Sequence, residues 1–298
     1  MASKIKIELM KASRSWLTYA ILTTLFWGVW GALSSTPEKA GFPGTLIYVA
    51  WALSMLIPAT VVFKRMNWKL EYDPKAILLG SIIGLTGAGG QLALLTRALT
   101  EGPAHLIFPI ISLSPIITII LSFLFLREKV DKRGIWGIII AIIALPMLSL
   151  SPPSGSGSGF MWLFYALIVM AAWGFQAYVM KFANETMKAE SIFIYMTITG
   201  LLLVPIPLYM TDFSKIINTG FSGMYLAFII QLLNSLGALF IVYAFRYGKA
   251  VVVSPLTNAV APVITIIFSL ILYQTMPSTL VGIGMVLAIA STFLLANE

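Results

Sequence analysis

The chain alternates between long apolar runs and short polar connections. Ten runs of about 19–27 residues each suffice to cross a hydrocarbon core of about 30 Å as a helix rising about 1.5 Å per residue. They extend from Trp16 to Thr36, Pro43 to Phe63, Lys75 to Ala98, Pro103 to Leu126, Lys132 to Leu150, Phe160 to Phe182, Glu190 to Met210, Phe221 to Tyr247, Ala250 to Tyr273 and Pro277 to Leu295. The first exceeds the roughly 7–15-residue core of a cleaved leader and is predicted to be retained. Nothing is left over for a soluble domain. The pattern predicts an all-α integral membrane protein of ten transmembrane helices.

Composition agrees: of 298 residues, 59% are hydrophobic and 10% charged. Globular domains carry about 25% charge. The absence of cysteine and the single histidine exclude disulfide scaffolds, thiol catalysis and the usual zinc and histidine-dependent hydrolase sites. No metal or cofactor is expected. The net charge of +8 does not imply nucleic acid, because the basic residues lie in short connections instead of on one water-facing surface. Sixteen of the 19 Lys and Arg fall on one side of the predicted topology, leaving Lys39, Arg97 and Lys215 on the other. Cytoplasmic loops retain the positive excess, so both termini are expected in the cytoplasm of a multi-pass protein of the plasma (inner) membrane.

Residues 151–159, Ser-Pro-Pro-Ser-Gly-Ser-Gly-Ser-Gly, form an uncharged flexible connector. It divides the chain into units 1–150 and 160–298, each with five predicted crossings. An odd number of crossings sends the second unit into the membrane from the opposite side, so any repeat is inverted. Repetition is visible in the residues. Ala98-Leu99-Thr100-Glu101-Gly102-Pro103-Ala104 matches Ala244-Phe245-Arg246-Tyr247-Gly248-Lys249-Ala250, with Pro109 matching Pro255. After a one-residue slip, Pro115 to Ser122 matches Pro262 to Ser269, with proline, threonine and serine in register.

On these residues the sequence resembles the ten-helix, EamA-type members of the drug/metabolite transporter (DMT) superfamily over essentially its whole length. The turns at Gly102 and Gly248, the paired prolines and the Leu126-Arg127-Glu128 segment closing the fourth helix carry the resemblance. The family commonly has Leu-Gly-Glu there, so Arg127 is a departure, and Tyr273-Gln274-Thr275 lacks the glutamate altogether. A cap or loop anchor is the expected role of Glu128. The resemblance implies two inverted five-helix repeats around a central cavity lined mainly by helices one, three, four, six, eight and nine, with five and ten peripheral.

Candidate site residues follow from depth. Pro115 and Pro262 each lie about a dozen residues into their predicted helices, near the bilayer midplane. Each removes a backbone hydrogen bond that lipid cannot replace, and paired interruptions point to a transport site; with Gly102 and Gly248 they are the hinge candidates. Gln91, Gln231, Asn234 and Asn258 approach the same slab as amides able to donate and accept. Trp27 and Trp30 share one face too deep for the interfacial belt that suits Trp16 and Trp68, and either line the cavity or meet lipid. Trp173 and Tyr178 add aromatic surface on the sixth helix. Lys39, Lys181, Arg246 and Lys249 read as end charges that snorkel. No Asp or Glu lies near a helix centre, which leaves His105, at the start of helix four, as the candidate for proton coupling.

The expectation is a secondary transporter, not an enzyme, moving a small amphipathic metabolite by alternating access. An amino acid, aromatic ones leading, and export are favoured. Sugar or nucleoside uptake and flipping of a lipid-linked solute are the alternatives. Expected partners are a small-molecule solute and membrane lipid, the protein being a monomer or homodimer. An enzyme would show clustered acid–base or metal groups at one interface, and none is visible.

Overall fold

The computed structural model describes residues 2–98, 107, 110–149, 161–273 and 278–296, without the side chains of residues 2–14, 149, 269 and 273. The helices are α1 (Ala2–Leu33), α2 (Gly44–Arg65), α3 (Pro74–Ala98), α4 (Ser114–Leu126), α5 (Lys132–Ser149), α6 (Met161–Ala183), α7 (Ala189–Met210), α8 (Phe221–Tyr247), α9 (Ala250–Tyr273) and α10 (Thr279–Leu295). Among the described residues there is no strand. Seven segments, those of α1 to α3 and α6 to α9, are long and apolar enough to cross a membrane, and α4 and α10 are shorter apolar helices. Large apolar side chains such as Leu124, Leu202, Ile271 and Phe293 are 65–70% exposed, as lipid-facing positions are.

Proline explains where the helices bend. In α2 the ladder is interrupted at Met55, beside Ser54, whose carbonyl Pro58 has no N–H to engage. In α7 it is interrupted at Leu203 and Val204, just before Pro205, which stands where Pro58 stands one repeat earlier. The predicted equivalence of Pro115 and Pro262 needs correction. Pro262 lies inside the continuous α9, whereas the chain makes a turn at Ser112 and Leu113 and α4 begins at Ser114, with Pro115 in its first turn. A first-turn proline sacrifices no helical hydrogen bond, so of this pair only Pro262 lies in a helix interior, as Pro255 of the same helix and Pro146 of α5 also do.

Each repeat is completed by the other. Helix α1 packs along α8 and α9, and α6 packs in the same way along α3 and α4. Helix α2 rests on α8 while α7 rests on α3, and α5 and α10 pack on one another at the edge. The connections gather on two opposite faces. On the basic face, the Lys188 N–H donates to the Glu71 carboxylate at 2.7 Å and the Tyr195 hydroxyl to the Glu71 carbonyl at 2.7 Å. On the far face, Asn218, one repeat on from Glu71, donates through Nδ2 to the Ala40 carbonyl at 2.8 Å and through its backbone N–H to the Gly41 carbonyl at 3.1 Å.

Three end residues behave differently from simple interfacial anchors. Trp16 is only 6% exposed, because its Cβ packs against Gly248, where an added Cβ would stand 3.0 Å away. Arg246 is not a free snorkelling charge: its guanidinium donates to the carbonyls of Asn184 and Met187. Glu128 is a cap, though of the other repeat: its carboxylate accepts from the Ala250 and Val251 N–H groups at 2.9 and 3.0 Å, at the positive end of α9. The preceding Arg127 takes up φ 54°, ψ 32°, a left-handed conformation that suits the glycine common there among the resembled proteins.

Candidate functional site

The centre of the protein is built from two copies of one arrangement. The Trp27 indole donates to the Asn234 carbonyl of α8 at 3.3 Å, and the Trp173 indole donates to the Gly87 carbonyl of α3 at 3.3 Å. Each ring fits a notch made by a missing side chain: a Cβ on Gly237 would stand 2.5 Å from Trp27 Nε1, and one on Gly90 would stand 2.5 Å from Trp173 Nε1. On their other flank, the Thr265 hydroxyl donates to the Gly28 carbonyl and the Thr118 hydroxyl to the Gly174 carbonyl, both at 2.9 Å. Gly28 and Gly174 are themselves close-contact positions, an added Cβ meeting Ile264 Cβ and the Ser114 carbonyl oxygen at 2.5 Å. In lipid, small residues of this kind let helices approach until dispersion and interhelical hydrogen bonds hold them. Thus α1 is clamped between α8 and α9, and α6 between α3 and α4.

Chemistry enters where the two copies differ. On α8, Gln231 and Asn234 are 2% and 8% exposed, and Asn234 Nδ2 donates to Gln231 Oε1 at 3.3 Å. One repeat earlier these positions are Gly84 and Gly87. There the space beside Gly87 is taken by Gln176, whose Nε2 donates to the Ile83 carbonyl at 3.1 Å. The residue on α1 matching Gln176 is Trp30, and its buried indole N–H has no hydrogen-bond partner among the described residues. On α6, therefore, both Trp173 and Gln176 donate to carbonyls of α3. On the matching helices, α8 carries an amide pair and α1 an indole donor without a partner among the described residues.

The remaining predicted residues are less closely joined. Gln91 is 6% exposed on α3, and its side chain makes no hydrogen bond among the described residues. Asn258 is half-buried and donates to the Ser254 carbonyl of its own helix at 2.9 Å. Tyr178 lies about 7.5 Å along α6 from Trp173, by the helical rise, and its ring contacts Phe125 and Phe175, both with centroids at 6.1 Å. Gly248 is buried in the turn after α8, where a Cβ would meet Val253 Cγ2 at 2.7 Å, so close packing requires it. Gly102 and His105 lie outside the described residues. Gln176, Thr118 and Thr265 were not among the candidates, although both threonines recur in the repeat; the signal was present, and their partner carbonyls were not. Among the described residues no cluster of three or more His, Asp or Glu could hold a metal ion.

The EamA-like transporter family matches residues 14–150 and again residues 160–297. This chain belongs to the EamA-like transporter family. An uncharacterized transporter of Archaeoglobus fulgidus is similar at 31% identity over 140 residues, 46% of this chain and 48% of that protein. An uncharacterized protein of Methanocaldococcus jannaschii is 41% identical over 79 residues, 26% of this chain and 57% of that one. The chain thus spans about half the length of these relatives. A solved crystal structure superposes with a TM-score of 0.74 at 15% identity, covering 93% of this chain and 96% of the other, which shows a shared fold. For an EamA transporter, two matches in one chain accord with the doubled clamps around α1 and α6.

Proposed function

We propose that this EamA transporter exports a small amphipathic metabolite, an amino acid and foremost an aromatic one, across the plasma membrane by alternating access, with the solute seated at the α1–α8 seam. The observation that carries the reading is the buried indole N–H of Trp30 on α1, without a hydrogen-bond partner among the described residues, together with the Gln231–Asn234 amide pair on α8, a helix along which α1 packs. A buried donor without a partner costs about 1–3 kcal/mol, and a solute carboxylate accepting from it removes that cost. The amides serve the ammonium and carboxylate together, and the indole faces of Trp27 and Trp30 suit an aromatic side chain. Pro262 within α9 and the turn before Pro115 give the two halves different hinges. The excess of Lys and Arg on the basic face supports an orientation with both termini in the cytoplasm. Coupling to protons, where it occurs, depends on His105.

The test is thermal unfolding of the purified protein with tryptophan, leucine, glucose and uridine. Tryptophan at about 100 times its dissociation constant stabilises by about 2.7 kcal/mol, and Trp30→Phe reduces that stabilisation. Stabilisation by glucose or uridine alone overturns the amino-acid reading in favour of a sugar or nucleoside.

A further inference from the structure

Aromatic side chains gather on one flank of the basic half of the protein. Helix α8 packs along α1 on one side and against α2 and α7 on the other. The strip of α8 left between them carries Phe240 and Tyr243, both half-buried, and Tyr247, which is exposed. Tyr19 of α1 stacks on Tyr243 and Tyr247 with ring centroids 5.0 and 5.9 Å apart, and Phe26 stacks on Phe240 at 5.6 Å. From Tyr19 to Phe26 the helical rise carries this shelf roughly 10 Å from the basic end of α1 into the apolar layer. The repeat does not demand it: one repeat earlier, Phe240 and Tyr243 are Ala93 and Thr96.

Charges of both signs stand at the shallow end of the shelf. Glu190, in the first turn of α7, is half-buried, and its Oε1 accepts from the Tyr243 hydroxyl at 2.8 Å. Its second carboxylate oxygen makes no hydrogen bond among the described residues. Arg65, in the last turn of α2, is exposed, and its guanidinium makes no hydrogen bond or ion pair among the described residues. Both Arg65 and Glu190 lie within electrostatic reach of the Tyr19 and Tyr243 phenols. Tyrosine suits such a boundary, because its ring is apolar and its hydroxyl polar. A guanidinium and a carboxylate above an aromatic shelf match a headgroup of two charges above an apolar chain. The planar fork of Arg65 fits a phosphate, and Glu190 fits an ammonium. Since α1 and α8 both span the membrane, the chain that covers the open edge of the shelf is acyl chain.

We propose that this shelf binds a phospholipid from the leaflet at the basic face whose headgroup carries a primary ammonium, of the phosphatidylethanolamine kind. Arg65 takes the phosphate, and Glu190 takes the ammonium through the oxygen that Tyr243 leaves free. Tyr19, Phe240 and Phe26 line an acyl chain. The lipid joins α1, α2, α7 and α8 from outside, apart from the midplane amides, and the site stands whether or not those bind an amino acid.

The experiment is native mass spectrometry of the purified full chain, delipidated in detergent and titrated with phosphatidylethanolamine, its trimethylated analogue phosphatidylcholine, and phosphatidylglycerol. Phosphatidylethanolamine is expected to bind about tenfold more tightly than phosphatidylcholine, which has no ammonium hydrogen to donate. Glu190→Gln keeps an acceptor for Tyr243 while removing the charge, and is expected to abolish that preference. Arg65→Gln, at an exposed position, weakens all three lipids by a similar factor. Lys132→Gln, on the same face but at the start of α5, leaves binding at the parent value. Unliganded thermal unfolding confirms that each variant folds, and the comparison of lipids on the parent needs no variant. Equal binding of phosphatidylethanolamine and phosphatidylcholine by the parent, or a preference that survives Glu190→Gln, would overturn the proposal. Tighter binding of phosphatidylglycerol, or equal losses in Lys132→Gln and Arg65→Gln, would show only a general attraction of the basic face for anionic lipid and would overturn it as well.

Discussion

Trp27 and Trp173 are the same residue of two inverted repeats, and each donates its indole N–H at 3.3 Å to a helix of the opposite half. Helices α1 and α6 are thereby held by equivalent bonds on opposite sides of the protein, with equivalent glycine notches, Gly237 and Gly90, behind them. Two states related by exchange of the halves would have comparable energies if these clamps were the only determinants. The amide pair on α8 and the orphan Trp30 break that equivalence. They give α1 and α8 polar groups that Trp173 and Gln176, both bonded to α3 carbonyls, do not match.

The clamps are testable as packing. Gly237→Ala and Gly90→Ala each bring a methyl group to about 2.5 Å from an indole nitrogen, and overpacking of this kind costs about 1–3 kcal/mol. Both variants are expected to unfold at lower temperature in detergent. Equal loss at the two sites supports their structural equivalence, and an unchanged melting temperature at either shows that the notch yields.

Affinity should separate the amides. Asn234→Leu and Gln231→Leu are expected to weaken solute binding by roughly 5- to 150-fold, corresponding to about 1–3 kcal/mol for a polar solute group left unpaired. Asn258→Leu should change affinity little, since its amide already donates to its own helix. Titration of the purified variants with tryptophan decides the order. A larger loss at Asn258 than at Asn234 would move the site from α8 to α9.

Much of the architecture was legible because membranes impose length. Ten apolar runs, an uncharged connector at 151–159 and recurring Gly, Pro, Thr and Ser suffice for an inverted ten-helix reading. What the residues could not reveal is where their partners sit. Thr118 and Thr265 are visible as a repeat, yet their purpose, a hydroxyl on a glycine carbonyl of another helix, exists only after packing. Pro115 and Pro262 match in sequence but differ in helical context, because a proline is costly or cheap according to whether the preceding turn is helical. Trp16 fits the belt by composition and is buried instead against Gly248, a contact fixed by the fold of the following turn. A charged helix end suggests a solvent-seeking side chain, whereas the carbonyls that receive Arg246 lie on a loop distant in sequence.

The end of α4 offers paired variants of opposite sign. Glu128→Gln removes the charge that caps α9 and is expected to cost about 0.5–2 kcal/mol, the range of helix caps. Arg127→Gly relieves a left-handed residue worth roughly 1–2 kcal/mol while adding entropy to the unfolded chain, so a gain below about 1 kcal/mol is expected. Thermal unfolding measures both. Destabilisation by Arg127→Gly would mean that the arginine side chain contributes more than its backbone costs.

Unequal proline contexts predict unequal kinetics. Pro262→Ala restores a hydrogen-bond donor inside α9 and should slow exchange between the two open states, whereas Pro115→Ala, at a helix start, should affect it less. Transport rate compared with solute affinity in proteoliposomes provides the measurement. If both variants carry solute at the parent rate, the kink in α9 is architectural.

The absence of cysteine makes orientation directly measurable. Sixteen basic residues against three predict that the α2–α3, α4–α5, α6–α7 and α8–α9 connections face the cytoplasm. Hydrogen bonds already join the first and third of these through Glu71 and Lys188, and the second and fourth through Glu128 and Ala250. These contacts join connections of one face, so labelling at one position reports on its neighbours. Ser156→Cys, in the connector between the halves, should react with an impermeant thiol reagent added to intact cells. Lys132→Cys, at the start of α5, should react only after lysis. The reverse pattern would invert the protein and put both termini outside. Reaction of both from outside would instead contradict the five-crossing count per repeat, since each half must carry the chain from one face to the other.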